Sequence, residues 1–164
     1  MHGITPGGIS SACWRGYYCT YAVNGDRLLL QDLHMGLTEE DAGLAQNGAG
    51  PAIQGILPRY DDQEYCWGYS PLQMPIGFTG GLLLGRDFIR ELYVHMGFHP
   101  AWKYRQVYEL VFQDGHLLAS DDRTAQLEES RSHLKPADLK PGRSSTKGDI
   151  ADWIDRTFSL DYDR

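Results

Sequence analysis

Arg15, Tyr17, Asp32 and His34 are the residues whose types could act together on a substrate. An arginine can hold a carboxylate or phosphate through two parallel hydrogen bonds, and a histidine moves protons near neutral pH. An aspartate beside them can orient the imidazole, and a tyrosine can donate a hydrogen bond. One turn brings the four into register. Val23-Asn24-Gly25-Asp26 places Asn-Gly, the strongest short hairpin signal, between two strand-like runs. Both residues tolerate the positive φ that a type I′ turn demands. With Asn24 and Gly25 as the loop, Tyr21 faces Leu28, Cys19 faces Leu30, Tyr17 faces Asp32 and Arg15 faces His34. Facing partners share one side of a sheet, so the quartet is expected to converge at the open end of this hairpin. The same placement also fits a plain Arg15–Asp32 cross-strand ion pair beneath Tyr17, worth about 0.2–1 kcal/mol.

Other candidates are less connected. Glu91 and His95 lie four apart on an expected helix and can touch, while a histidine near a helix C-terminus also acts as a local stabiliser. His95 and His99 have a metal-like spacing, but Gly97 and Pro100 interrupt the helix that would align them, so no metal and no cofactor is expected. Nucleophile elbows and glycine-rich phosphate loops do not occur. Tyr60, Asp61, Asp62, Tyr65, Trp67 and Tyr69 form an acidic, aromatic cluster bounded by Gly and Pro. Such residues suit either a binding face for a basic partner or an aromatic strand packed in the core.

Composition narrows the partners. The 164 residues carry a formal charge of −7, with 41% apolar and 23% charged residues, and the pI is about 5.2. An acidic chain without a basic stripe repels phosphate backbones, so nucleic acid is not expected as a partner. A basic protein surface is the easier electrostatic match. Cys13, Cys19 and Cys66 cannot all pair internally, and Cys13 and Cys19 stand roughly 20 Å apart along an extended strand. Reduced thiols, no secretory leader and no apolar run of about 18 residues point to a cytoplasmic protein without a membrane span. Oligomeric state is not legible.

The elements that would position these residues read as one α+β domain over 1–164. Residues 1–11 are expected to be loose, and a first hairpin covers about Ala12 to Leu33. A long irregular excursion from Gly36 to Gln73 includes a short helix, Thr38 to Gln46, capped by Thr38 with Asp41 three residues on. Met74 to Leu84 reads as a strand bent at Gly80-Gly81, and a central helix is expected from Arg86 to Met96, stopped by Gly97. A second hairpin, Gln106 to Ser120, turns at Asp114-Gly115 with Phe112 opposite Leu117. Thr124 to His133 reads as a polar helix and 135–147 as a linker. Ile150, Trp153, Ile154 and Phe158 then mark an amphipathic final helix with Thr146 or Asp149 as N-cap. The expected fold is a curved sheet of antiparallel hairpins packed by the central helix and the C-terminal helix.

Trp14-Arg15-Gly16-Tyr17 and Tyr93-Val94-His95-Met96-Gly97 resemble the corresponding stretches of a family of uncharacterised bacterial proteins. Leu28-Leu29-Leu30 and Phe78-Thr79-Gly80-Gly81-Leu82 stand where that family has two further strands. The resemblance covers about Cys13 to Leu118 in pieces and implies a bacterial domain without naming a chemistry. Charge, size and missing catalytic motifs favour a non-catalytic binding protein, of which a toxin-neutralising immunity protein is one form. The alternative is a small hydrolase or transferase using His34 or His95, with Arg15 as anion clamp.

Overall fold

Gly25 and Asp26, rather than Asn24 and Gly25, close the first hairpin in the computed structural model of this chain. The structure describes residues 4–11, 13–94, 99–133 and 144–158, with side chains to 155. The hairpin joins β1 (Tyr17–Asn24) to β2 (Arg27–Met35). Gly25 alone takes a positive φ, +62°, so the turn is of the type that wants glycine first. Val23 then faces Leu28 and Tyr21 faces Leu30, apolar against apolar. The expected loop would have set Asp26 opposite Val23. Instead Asp26 sits in the turn and meets His116 Nδ1 at 2.8 Å.

A second correction lies further along. The register shifts between Thr20 and Tyr21, so Thr20 faces Asp32, Tyr18 faces His34 and Tyr17 faces Met35. Gln31 is the extra residue, a β-bulge in β2. Its effect follows from side-chain alternation. Leu28, Leu30, Leu33 and Met35 fall on one face despite the odd step between 30 and 33, while Asp32 and His34 fall on the other. Buried Leu28, Leu30 and Met35 mark the first of these faces.

The chain divides into two compact units, Met1–Thr79 with Gln113–Leu117, and Gly80–Phe112 with Leu118–Arg164. In the first, α1 (Glu39–Gln46) starts as expected, with the Thr38 hydroxyl accepting from the Asp41 amide at 3.2 Å. The expected irregular excursion contains two strands, β3 (Arg59–Asp61) and β4 (Cys66–Tyr69). Strand β4 lies between β2 and β3, antiparallel to both. The short β5 (Met74–Pro75) pairs with β2 beyond the bulge. Leu30, Met35, Ile53, Tyr69 and Leu72 form the core, with Leu33 and Cys19 packed against it. Residues 4–11 are tied in at Gly7, whose amide donates to Gly36 O at 2.8 Å. Gly16, at φ +70°, lets three backbones cross there: a Cβ on it would lie 2.1 Å from Gly7 O.

The second unit is built on β6 (Gly80–Phe88) and β7 (Tyr104–Gln113), with β8 (His116–Asp122) beside β7. The central helix expected from Arg86 to Met96 is not formed over its described part. Arg86 and Phe88 pair with Gln106 and Tyr104, Asp87 has φ +63°, which no helix accommodates, and one 3-10 turn, Arg90–Leu92, follows. The β7/β8 turn is the expected one, with Asp114 and Gly115 both at positive φ. On β7, Glu109 is sealed in: it is 1% exposed and accepts from Arg123 Nε at 2.9 Å and Nη2 at 2.6 Å. Helix α2 (Thr124–Ser132) begins directly after that arginine. Helix α3 (Lys147–Phe158) is capped reciprocally by Thr146 and Asp149, and leaves Ile150 and Ile154 exposed. The class is therefore α+β with antiparallel strands, as expected, but without the central helix. Residues 134–143 of the expected linker region lie outside the described residues.

Candidate functional site

The bulge at Gln31 decides which residues meet. On the face opposite the core, Tyr18, His34, Gly68 and Arg59 stand in one row across β1, β2, β4 and β3. One step along, Thr20 faces Asp32, and the Ser70 hydroxyl just past β4 donates to Asp32 Oδ1. Gly68 leaves the middle of the row without a side chain; a Cβ there would touch His34 Cε1 and Nδ1 at 3.5 Å. Over this bare floor opens a cleft of about 1240 Å³. His34, Arg59 and Ser70 line it together with Tyr60, Asp61 and Asp62, and the stretch 55–58 forms a wall.

His34 is held from two sides. The Tyr18 ring stacks on the imidazole, with centroids 4.7 Å apart and planes 3° from parallel, and Cys66 Sγ lies 4.0 Å from Nδ1. Tyr18 donates to Glu64 at 3.2 Å and lies 3.9 Å from the same sulfur. Burial, and then these two neighbours, push the Tyr18 hydroxyl far above its usual pKa. Cys66 is fully buried, and that burial raises its thiol above the usual range in spite of the Tyr18 hydrogen bond. The neutral thiol is a packing partner for His34, not an activated nucleophile.

The expected quartet is split. Asp32 and His34 share the cleft face, but Tyr17 faces Met35 on the core side. Arg15 precedes the strand and places its guanidinium carbon 5.9 Å from the Tyr17 ring centre. The Arg15–Asp32 juxtaposition rested on the Asn24-Gly25 turn and on a register without the bulge; the shifted turn moves the pairing by two positions and the bulge by one more, so Asp32 faces Thr20. Arg59 is the arginine that stands across from His34; neither it nor Tyr18, Cys66 or Ser70 is among the expected site residues. Of the second expected pair, Glu91 is exposed in the second unit, and His95 lies outside the described residues.

The acidic, aromatic cluster is also divided. Trp67 is 7% exposed and Tyr69 is wholly buried, its hydroxyl donating to Pro51 O at 2.9 Å. These two are core residues, because alternation along Cys66-Trp67-Gly68-Tyr69-Ser70 sends them to the apolar face. Tyr60 and Tyr65 are 49% and 74% exposed. Tyr60 packs edge-on against Trp67 at 5.3 Å, so its ring is anchored although half of it meets solvent. Asp61 fixes the turn that carries Asp62 and Glu64, its Oδ1 accepting from the Gln63 amide at 2.8 Å and the Glu64 amide at 3.2 Å. Asp61 and Asp62 line the cleft and Glu64 stands on the same turn, making a negative rim, while the Tyr60 ring lies at the sheet edge on the Trp67 side.

No group of three or more His, Cys, Asp or Glu side chains able to hold a metal occurs among the described residues. No helix among them is long and apolar enough to cross a membrane. No protein family, curated protein or solved structure matches this chain.

Proposed function

We propose that the protein is a binding protein whose first unit receives a basic segment of a protein partner along the rim of the cleft. The observation that supports this most is the β3–β4 turn. It holds Asp61, Asp62 and Glu64 between the exposed Tyr60 and Tyr65 and beside an open cleft. Tyrosines supply large, amphipathic contact area at low entropic cost, and the carboxylates select a cationic partner and speed its approach. The charge of −7 acts in the same direction over longer range. A toxin-neutralising, immunity-type role is one form of this function, with a basic toxin as partner.

The test is calorimetric titration of the full chain with a synthetic peptide of alternating Arg and Gly. Binding is expected to weaken with added salt. The combined change Tyr60→Ala, Asp62→Asn, Tyr65→Ala is expected to weaken it by about thirtyfold or more, the usual effect of removing one hot-spot residue. Unchanged affinity in that variant contradicts the reading.

A second reading has one observation in its favour. His34 and Arg59 face each other across Gly68 inside the same cleft, so a small hydrolase or transferase would use Arg59 as its anion clamp instead of Arg15. Hydrolysis of a carboxylic or phosphate ester that is lost in both His34→Gln and Arg59→Met would favour it over partner binding.

A further inference from the structure

Strand β1 is eight residues long, Tyr-Tyr-Cys-Thr-Tyr-Ala-Val-Asn, and contains no charged residue and no proline. Its inner edge pairs with β2, and among the described residues no strand pairs with its outer edge. Exposed, uncharged edges of this length are what soluble proteins blunt with lysines, prolines or bulges. Here the one bulge belongs to β2 and leaves β1 regular. Tyr17, Tyr21 and Val23 are 38%, 56% and 39% exposed along it.

The hydrogen-bonding sense of the edge follows from its partners. Gly16 O accepts from the Gly36 amide across to β2, so 16, 18 and 20 point inward and 17, 19, 21 and 23 present their N–H and C=O groups outward. Of these outward groups, the Tyr17 carbonyl holds a weak thiol contact from Cys13 at 3.5 Å, which an amide donor would replace.

We propose that this edge is the dimerisation surface of the protein, with β1 of a second copy pairing antiparallel to it about a two-fold axis. One register pairs all four outward residues: Tyr17 with the partner copy's Val23, and Cys19 with its Tyr21. Thr20 of one copy then meets Thr20 of the other on the axis. The apolar residues of both strands share a face, and no like charges oppose each other within the paired strands. At each end the Arg15 end of one copy meets the Gly25–Asp26 turn of the other. This pairing leaves the cleft rim on β3 and β4 uncovered and does not depend on what the cleft binds.

Sedimentation velocity of the full chain over a range of concentrations tests it. The wild type is expected to shift from monomer to dimer as concentration rises. Tyr21→Pro removes an outward amide without costing a β1–β2 bond, and is expected to leave a monomer. Thr20→Lys sets two like charges against each other on the axis and is expected to raise the dimer dissociation constant about tenfold or more. Mixing it with Thr20→Glu is expected to restore a heterodimer. Circular dichroism checks that each variant folds; if Tyr21→Pro does not, the Thr20 pair decides. A wild type that stays monomeric, or a dimer indifferent to the Thr20 changes, overturns the proposal.

Discussion

Deleting Gln31 from the middle of the longest strand in the first unit is expected to be tolerated, whereas inserting one residue between Leu33 and His34 of the same strand is expected to be severely destabilising. The reason is the parity of β2. With Gln31 removed, Leu28, Leu30, Leu33 and Met35 fall into plain alternation on the core side, and Asp32 and His34 keep the cleft side. What is lost is the bond from the Leu72 amide to Gln31 O, 2.8 Å long. Leu72 is 4% exposed, so an orphaned amide there costs about 1–3 kcal/mol. A glycine inserted between Leu33 and His34 has the opposite effect. It breaks a stretch of plain alternation, turning Met35 to the cleft and His34 toward the core. Met35 then loses about 1.5–3 kcal/mol of burial, and an imidazole buried without a partner costs about 1–3 kcal/mol more. That sum is a large fraction of the stability of a typical domain, about 5–15 kcal/mol. Urea unfolding followed by tryptophan fluorescence measures both variants. A deletion as damaging as the insertion refutes the reasoning, because Gln31 would then not be the spare residue.

Three further expectations follow from the same geometry. Gly16→Ala puts a Cβ 2.1 Å from Gly7 O at φ +70°, costing about 1–2 kcal/mol for the backbone alone. Faster amide exchange at Gly7 and Gly36 checks that the crossing has opened. Arg123→Met leaves Glu109 buried without its guanidinium and is expected to cost about 3–5 kcal/mol. Glu109→Leu with Arg123→Met should recover most of it, as read by chemical denaturation. His99 has its pKa lowered, first by burial and then by the Lys103 charge. The unfolded chain therefore takes up a proton there before the folded one. Stability should be full above the ordinary histidine range and fall as pH drops through it toward the folded value. His99→Gln should flatten that slope in thermal melts between about pH 7 and 5.

Much of the local structure was written in short signals. Thr38 with Asp41 and Thr146 with Asp149 announce two helix starts, because a hydroxyl and a carboxylate three apart satisfy the first free amides. Asp114-Gly115 announces its turn because both residues accept positive φ. The first turn misleads, because Asn24-Gly25 and Gly25-Asp26 are both sound turn pairs. The choice is made by Val23 meeting Leu28, a contact that only the paired strands reveal. The bulge was legible in principle, since the apolar steps at 28, 30, 33 and 35 run two, three, two. So was the β4 alternation that buries Trp67 and Tyr69. Arg59 was not: it shares a row with His34 only because β4 lies between β2 and β3, a long-range order that no local pattern encodes. The helix expected at Arg86–Met96 failed for the same reason. Its helical spacing was outweighed by pairing along the length of β7.

The rim of the cleft is the central claim, and amide mapping addresses it most directly. A ¹⁵N-labelled full chain is titrated with the Arg-Gly peptide while its amide resonances are followed. Shifts concentrated at Tyr60, Asp62, Gln63, Tyr65 and Gly68 are the expected result. Shifts confined to other surfaces, or none at millimolar peptide and low salt, would contradict the account.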